Sequence, residues 1–296
     1  VTVVPQILVV GGINQDEVAR VTRHPLPGET VIASSLDTFQ GGKGANQACA
    51  AATAHGAAVT VQMAGAVGDD AAGQSALAAL GAAGVDTTMI ARVPGVPTGR
   101  AYITVSDEGQ NSIVVATGAN AQVSTAKLES VSPPTLVVAQ TEVGAEAIND
   151  LSGYAERVGA RLVINNGPVV ELSASAMAMA DPLVVNEHEA AELLDQANPP
   201  LEHLALARSL LNRYGSRSVV VTLGSAGSVV ADGEGARYHA APQAPTVVDT
   251  TGAGDTFVGA LAAALALGSS IDDAIVLAAE AATASVGWAG ARLPLH

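Results

Sequence analysis

Six short runs rich in β-branched residues recur along the chain, at Ile7–Val10, Val59–Met63, Leu136–Ala139, Leu162–Ile164, Leu183–Val185 and Val219–Leu223. Most are separated by Ala-, Leu- and Glu-rich stretches of helical length. Runs that are continuously apolar rather than alternating have no solvent side, so both faces of their sheet must be covered. The expected fold class is therefore α/β: a doubly wound, mostly parallel sheet with helices on both faces. Composition agrees, because 49% hydrophobic residues are ample for a large core, while 2% aromatics and 31 Gly leave Val, Leu, Ile and Ala to pack at close approach.

Two regions break this rhythm, approximately 13–39 and 98–117. In the second, Ala101–Val105 and Ser112–Val115 flank Asp107-Glu108-Gly109 and read as a hairpin. Both regions are assigned to a small β-sheet lid inserted in the main layer. An exposed sheet of this kind commonly pairs with a second copy, which predicts a homodimer through the lid. Repeats, low-complexity tracts and linkers do not stand out, and Pro199-Pro200 reads as a loop between two helices. One domain spanning 1–296 is expected.

Charge narrows the partners. Thirteen basic against 28 acidic side chains give a formal −15, which repels nucleic acid and anionic membrane surfaces. A small anion is still admissible, because helix N-termini bind phosphate through backbone N–H groups. Cys49 is the only cysteine and lies in an Ala-rich run, which excludes an intramolecular disulfide and reads as a small buried residue rather than a nucleophile. The six His residues show no HxH or HExxH spacing, against a zinc site. With no apolar run of membrane-spanning length and no basic-then-apolar leader, a cytoplasmic, soluble protein is expected.

The segment Val248-Asp249-Thr250-Thr251-Gly252-Ala253-Gly254-Asp255-Thr256-Phe257 follows an extended stretch and precedes an Ala/Leu-rich helical run. Two glycines at a helix start let the backbone approach an anion, and Asp255 falls in the first turn, where the dipole favours a carboxylate. Spacing alone equally allows an Asp that only complements the helix N-terminus. A dinucleotide fingerprint would need GxGxxG and a Walker loop GK followed by Ser or Thr; Gly252-Ala253-Gly254-Asp255-Thr256-Phe257 and Gly42-Lys43-Gly44 satisfy neither.

A second cluster, Gly41-Gly42-Lys43-Gly44-Ala45-Asn46, leads into another helical run. Its glycines permit close backbone approach, Lys43 adds a point charge, and Asn46 offers both donor and acceptor to hydroxyl groups. Upstream, Asn14 and Asp16 alternate on an extended chain and point to one face, though ordinary turn chemistry would explain them too.

Taken together, Gly12-Ile13-Asn14-Gln15-Asp16, Gly41-Gly42-Lys43-Gly44-Ala45-Asn46-Gln47-Ala48 and Asp249–Phe257 resemble, in order and separation, the motifs of the ribokinase family of carbohydrate kinases (PfkB type). The resemblance covers nearly the whole chain and implies an ATP-dependent sugar kinase with a site between the α/β layer and the lid. It implies that Asn14, Asp16, Gly42, Lys43, Asn46 and Glu142 hold sugar hydroxyls, and that Asp255 is the catalytic base. Backbone N–H groups of Gly252, Ala253 and Gly254 would form an anion hole for the transferring phosphoryl group. Asn186 and Glu189, read as the family's NxxE motif, would position Mg²⁺ through water. Thr222, Gly224 and Gly227 would contact the nucleotide, with Ala278–Val286 lining the adenine pocket.

The resemblance further implies a K⁺ site built from Asp249, Thr251, Ser285, Trp288 and Gly290. A Ser that the family commonly carries near Pro294 is absent, which implies weaker dependence on K⁺; the chain also ends at His296, short of the family's usual last helix. The full GGKGANQA run with Asn14 and Asp16 favours D-ribose and its 5-hydroxyl as acceptor. Another sugar (a ketohexose or deoxyribose) or a nucleoside keeps the same mechanism. A regulator that binds sugar or nucleotide without catalysis is a different class, disfavoured by the retained Asp255.

Overall fold

The computed structural model describes residues 4–126, 128–130, 132–195 and 202–292, so Pro199, Pro200 and Pro294 lie outside the described residues. In chain order the main elements are β1 (Gln6–Val10), β2 (Asn14–Val21), β3 (Ser35–Gly41), α1 (Lys43–Ala54), β4 (Thr60–Gly68), α2 (Ala71–Ala82), β5 (Val85–Val93), β6 (Gly99–Ser106) and β7 (Asn111–Ala116). They continue with β8 (Leu136–Gln140), α3 (Ala145–Val158), β9 (Arg161–Asn165), α4 (Ala174–Met179), β10 (Ala180–Asn186), α5 (Glu187–Leu193) and α6 (His203–Tyr214). The chain closes with β11 (Val219–Thr222), β12 (Gly227–Asp232), β13 (Gly235–Ala240), α7 (Ala253–Ala266) and α8 (Ile271–Ser285).

Nine strands form one sheet in the order β13-β12-β11-β10-β9-β8-β1-β4-β5. It is parallel from β5 to β11 and antiparallel at β11–β12 and β12–β13. The reason for the unbroken apolar runs is visible on β1. Ile7 and Val9 enter a core shared with α1, α7 and α8, whereas Leu8 and Val10 enter one shared with α3 and α6. Both side-chain sets are buried, so the usual period of two disappears. Each of the six runs read in the sequence falls on a strand of this sheet, with Val59 and Leu223 one residue outside β4 and β11, and the expected α/β class is what the chain adopts. β5 escapes such a reading because it is an edge strand, with the half-buried pattern of Val85-Asp86-Thr87-Thr88-Met89.

A second sheet, ordered β3-β2-β6-β7, is built from the two rhythm-breaking regions. β2 pairs parallel with β6, and the other two pairings are antiparallel. Register sets Asp16 level with Phe39 and Ala101, and Ala101 level with Val115, so these residues share one face. Leu36, Tyr102 and Val114 belong to the opposite face and are exposed. Among the described residues no helix is long and apolar enough to cross a membrane.

One packing contact decides where the site forms. Helices α1 and α7 lie so close that a Cβ on Gly259 would sit 2.4 Å from the Gln47 carbonyl oxygen. Only a residue without a side chain allows that approach. It brings the first turn of α1 against the first turn of α7, and with them Asn46 and Gln47 against Asp255.

Candidate active site

Asp255 is 7% exposed, which would be costly for a carboxylate without partners. Two amides supply them. Asn46 Nδ2 donates to Asp255 Oδ2 at 2.9 Å, and Gln47 Nε2 donates to Asp255 Oδ1 at 3.1 Å. Gln47 Nε2 also donates to Asn165 Oδ1 (2.9 Å), and Arg292 Nε donates to Asn46 Oδ1 (2.9 Å). The carboxylate is thus held in one orientation, and each oxygen retains a lone pair for a further donor.

Around it stand the residues expected to hold sugar hydroxyls. The N–H of Lys43 donates to Glu142 Oε2 at 2.9 Å. The Asp255 charge, with those of Glu142 and Glu189, holds the Lys43 ammonium above its ordinary pKa against the opposing effect of burial. Burial drives Glu142 up to about 7, with Lys43 pulling it down and Asp255 and Asp16 pushing it further up. Burial likewise raises Asp16 to about 6, opposed by Arg292 and reinforced by Asp255. The Asp16 carboxylate lies against the Gly41 backbone, in space a Cβ would take. Asn14 is buried, and its Oδ1 accepts from Asn120 Nδ2 at 2.8 Å. Gly42, at φ 87°, turns the chain from β3 into α1. Hydroxyl groups entering here would meet ionisable acceptors and an ammonium donor with few competing partners.

On the far side of Asp255 opens a cavity of about 890 Å³. Its lining includes Asn186, Thr222, Gly224, Gly227, Ala253 and Gly254, joined from α8 by Ala279, Ala282, Thr283 and Val286. Those four recur at helical spacing on one face, whereas Ala278 turns into the core. Residues 223–226 form the turn of the β11–β12 hairpin, so the loop is both a strand connection and part of the cavity wall. Gly252 caps α7 in the left-handed conformation, φ 75°, with no side-chain cap. The N–H of Ala253 makes a long bond to the Thr250 carbonyl oxygen, 3.3 Å.

Asn186 and Glu189 have a local role that spacing did not reveal. Asn186 Oδ1 accepts from the Glu189 N–H and Glu189 Oε2 accepts from the Asn186 N–H, both at 2.8 Å, forming a capping box on α5. Burial raises the Glu189 carboxyl above its ordinary pKa. Among the described residues no three His, Cys, Asp or Glu side chains group as a metal site.

Of the residues expected around a monovalent cation, three are joined. Asp249 Oδ1 accepts from Thr251 N–H (2.9 Å) and Thr251 Oγ1 (2.7 Å), and Asp249 Oδ2 accepts from Gly290 N–H (2.9 Å). Burial pushes Asp249 up, but these bonds outweigh it and hold the carboxyl below its ordinary range. Ser285 instead turns its hydroxyl back to the Ala282 carbonyl at 2.8 Å, and Trp288 Nε1 is buried without a partner among the described residues.

Several participants escaped the sequence reading. Gln47 sat within a recognised motif but read as helix; Arg292, Asn165 and Asn120 reach the site from distant segments. Asn120 accepts from the Ile13 N–H at 2.9 Å as well as donating to Asn14. A lone Asn or Arg, at a strand end like Asn165 or in a connection like Asn120 and Arg292, carries no periodicity, so local pattern held no signal for them. Cys49 is buried, as its Ala-rich surroundings suggested, and burial pushes its thiol up.

Comparison with known proteins identifies the family. The model of the pfkB family carbohydrate kinases matches residues 4–296. A ribokinase from Schizosaccharomyces pombe is 38% identical, over 96% of this chain and 93% of that protein. One from Bacillus subtilis is also 38% identical, over 97% of this chain and 94% of that protein. The structure of Arabidopsis thaliana ribokinase complexed with ribose and ATP superposes with a TM-score of 0.88 at 32% identity, covering 98% of this chain and 95% of that one. With the family motifs converging on one carboxylate and a family match across the described chain, this protein belongs to the pfkB family of carbohydrate kinases.

Proposed function

We propose that the chain is an ATP-dependent kinase transferring the γ-phosphoryl group to the 5-hydroxyl of D-ribose. One observation carries this reading: Asp255 stands between two differently equipped spaces. On one side its charge acts on the polar cluster of Asp16, Lys43 and Glu142, while on the other Ala253 and Gly254 of its own helix turn line the cavity of about 890 Å³. Ribokinases among the relatives, one of them solved with ribose and ATP, support the same assignment.

In this reading the sugar lies against Asn14, Asp16, Gly42, Lys43, Asn46 and Glu142, with ATP along the cavity. Asp255 takes the proton as the 5-oxygen attacks the γ-phosphorus and the bond to the β–γ bridging oxygen breaks, giving ribose 5-phosphate and ADP. N–H groups of Gly252, Ala253 and Gly254 receive the charge on the phosphoryl oxygens, the long Ala253 bond being the one to exchange. Thr222, Gly224 and Gly227 flank the nucleotide. Mg²⁺, when bound, neutralises phosphate charge; Asn186 and Glu189, whose side chains already satisfy each other, suit contact through water rather than direct ligation. For K⁺, the Asp249–Thr251–Gly290 group is the part of the expected set that comes together, and carbonyl oxygens near Ser285 and Trp288 would complete it. The exposed Leu36, Tyr102 and Val114 support a homodimer through the second sheet.

ADP formation should be measured with ribose, deoxyribose, fructose, tagatose and adenosine. D-ribose is expected to give the highest kcat/KM, and a clear preference for adenosine would overturn the ribose assignment. Asp16→Ala should raise the ribose KM by roughly 10–100-fold, the worth of a hydrogen bond to a charged acceptor. An unchanged KM removes Asp16 from the sugar site.

The pH dependence of binding follows from the same groups. Asp16 near 6 and Glu142 near 7 are protonated in acid, and their folded pKa values lie above the ordinary 3.8 and 4.5. Their neutral forms therefore favour the empty folded protein below about pH 4, and that advantage is lost as pH rises through 6 and 7. Sugar hydroxyls donate to the ionised forms, so ribose affinity should increase from pH 5 to pH 8 with proton release. Calorimetric titration at both pH values checks this; affinity that falls with pH contradicts the assigned acceptors.

A further inference from the structure

The hydrogen-bond chain through Asp255 has a direction, set at both ends by groups that cannot reverse. At one end the Val184 carbonyl accepts from Asn165 Nδ2 (3.1 Å), so Asn165 presents Oδ1 to Gln47 Nε2, which donates onward to Asp255 Oδ1. At the other end Arg292 Nη2 donates to the Gly41 carbonyl (2.7 Å) and Arg292 Nε to Asn46 Oδ1 (2.9 Å), so Asn46 presents Nδ2 to Asp255 Oδ2. A carbonyl only accepts and a guanidinium only donates. Turning the Asn46 amide over would set N–H against N–H at Arg292 and oxygen against carboxylate at Asp255. With both anchors in place, one arrangement of the amides faces each of these donors with an acceptor, while Gln47 Oε1 and Arg292 Nη1 stay buried without a partner among the described residues.

Arg292 itself is unusual for a residue chosen for stability. It is a half-buried cation whose two hydrogen bonds go to neutral oxygens, with Asp16, Asp255 and the Cys49 thiol as the ionisable groups around it. Desolvating a charge is costly, and a purely structural cation would be expected on a carboxylate. Among the described residues its side-chain hydrogen-bond partner is instead the acceptor side of the amide that holds the base.

We propose that Arg292 is a positioning residue for phosphoryl transfer that acts through Asn46: it locks the Asn46 amide with its N–H toward Asp255, and so keeps a carboxylate lone pair aimed at the acceptor hydroxyl. The inference rests on the kinase reading above. Removing the lock leaves Asp255 in place but lets its partner turn away.

Arg292→Gln and Arg292→Met, each alone and combined with Asn46→Ala, separate this role from others in an assay of ribose-dependent ADP formation. Gln offers an uncharged N–H to Asn46, whereas Met keeps only the apolar stem. Arg292→Met should lower kcat about 10–100-fold, the worth of one charge-coupled hydrogen bond, and Arg292→Gln should stay within about threefold. In the Asn46→Ala background the Met substitution should cost less than about twofold, since the route through Asn46 is already cut. Arg292→Gln losing as much as Arg292→Met would overturn the proposal, showing that charge and not donor direction matters. So would an undiminished Met effect in the Asn46→Ala background. If Arg292→Met does not fold, Arg292→Gln decides alone, a loss beyond about tenfold refuting the role. An inactive unsubstituted protein would refute the kinase reading and this inference with it; an active one with additive losses refutes only the inference.

Discussion

Asp255→Asn is expected to lower kcat by about 10²–10⁴-fold while ATP affinity is kept, the loss typical of removing a general base. A sugar hydroxyl is a weak nucleophile until its proton has an acceptor, and in the proposed mechanism the carboxylate held by Asn46 and Gln47 supplies one in the transition state. Loss of kcat with binding retained is the pattern of a group that acts there. The structure adds a second consequence. Both Asp255 oxygens already accept from amide N–H groups, so the new side-chain NH₂ must face one of those donors. A stability loss of about 1–3 kcal/mol is expected from that unsatisfied contact, measurable as a lower Tm. Retention of more than about a tenth of wild-type kcat would leave Asp255 as a helix-terminus carboxylate and no more.

Gly252→Ala should reduce kcat by about 10²-fold or more, comparable to loss of one donor from an anion hole. Gly252 adopts φ 75°, and a Cβ there would meet Ala291 Cβ at 2.5 Å and Ala291 Cα at 2.6 Å. Backbone cannot yield as a side-chain tip can, so the turn that carries Ala253 and Gly254, which line the cavity and whose N–H groups form the proposed anion hole, must shift. Asp255, three residues on from Gly252, is held by α1 and should stay in position. The expected signature is therefore a fall in kcat with the ribose KM little changed, read by steady-state kinetics at saturating ATP. A Gly252→Ala variant of normal kcat would show that these N–H groups do not receive the phosphoryl charge.

Much of this was legible before any coordinates. The six β-branched runs announced strands covered on both faces because a doubly wound sheet erases the alternation of β1, and two of the three motifs marked the turns into α1 and α7. Sequence was weaker on the finer geometry of the site. Asn186 and Glu189, which the resemblance assigns to positioning Mg²⁺, also close a capping box on α5, a local role that the motif does not reveal. Ser285, which the resemblance places near a monovalent cation, turns its hydroxyl to the Ala282 carbonyl within α8.

The sequence by itself determined the layer architecture, the glycine-rich turns that lead into two helices, and the place of Asp255 in the first turn of the second. These follow from local periodicity, from glycines where the backbone must turn, and from motif spacing within a dozen residues. Tertiary structure alone decided how that carboxylate is oriented. The approach of α1 to α7 at Gly259 sets Asn46 and Gln47 on Asp255, and Arg292 and Asn165 arrive from segments 246 and 118 positions away from their partners to fix the direction of each amide. Hydrogen-bond polarity depends on which donor faces which acceptor in space, and no one-dimensional pattern carries that information.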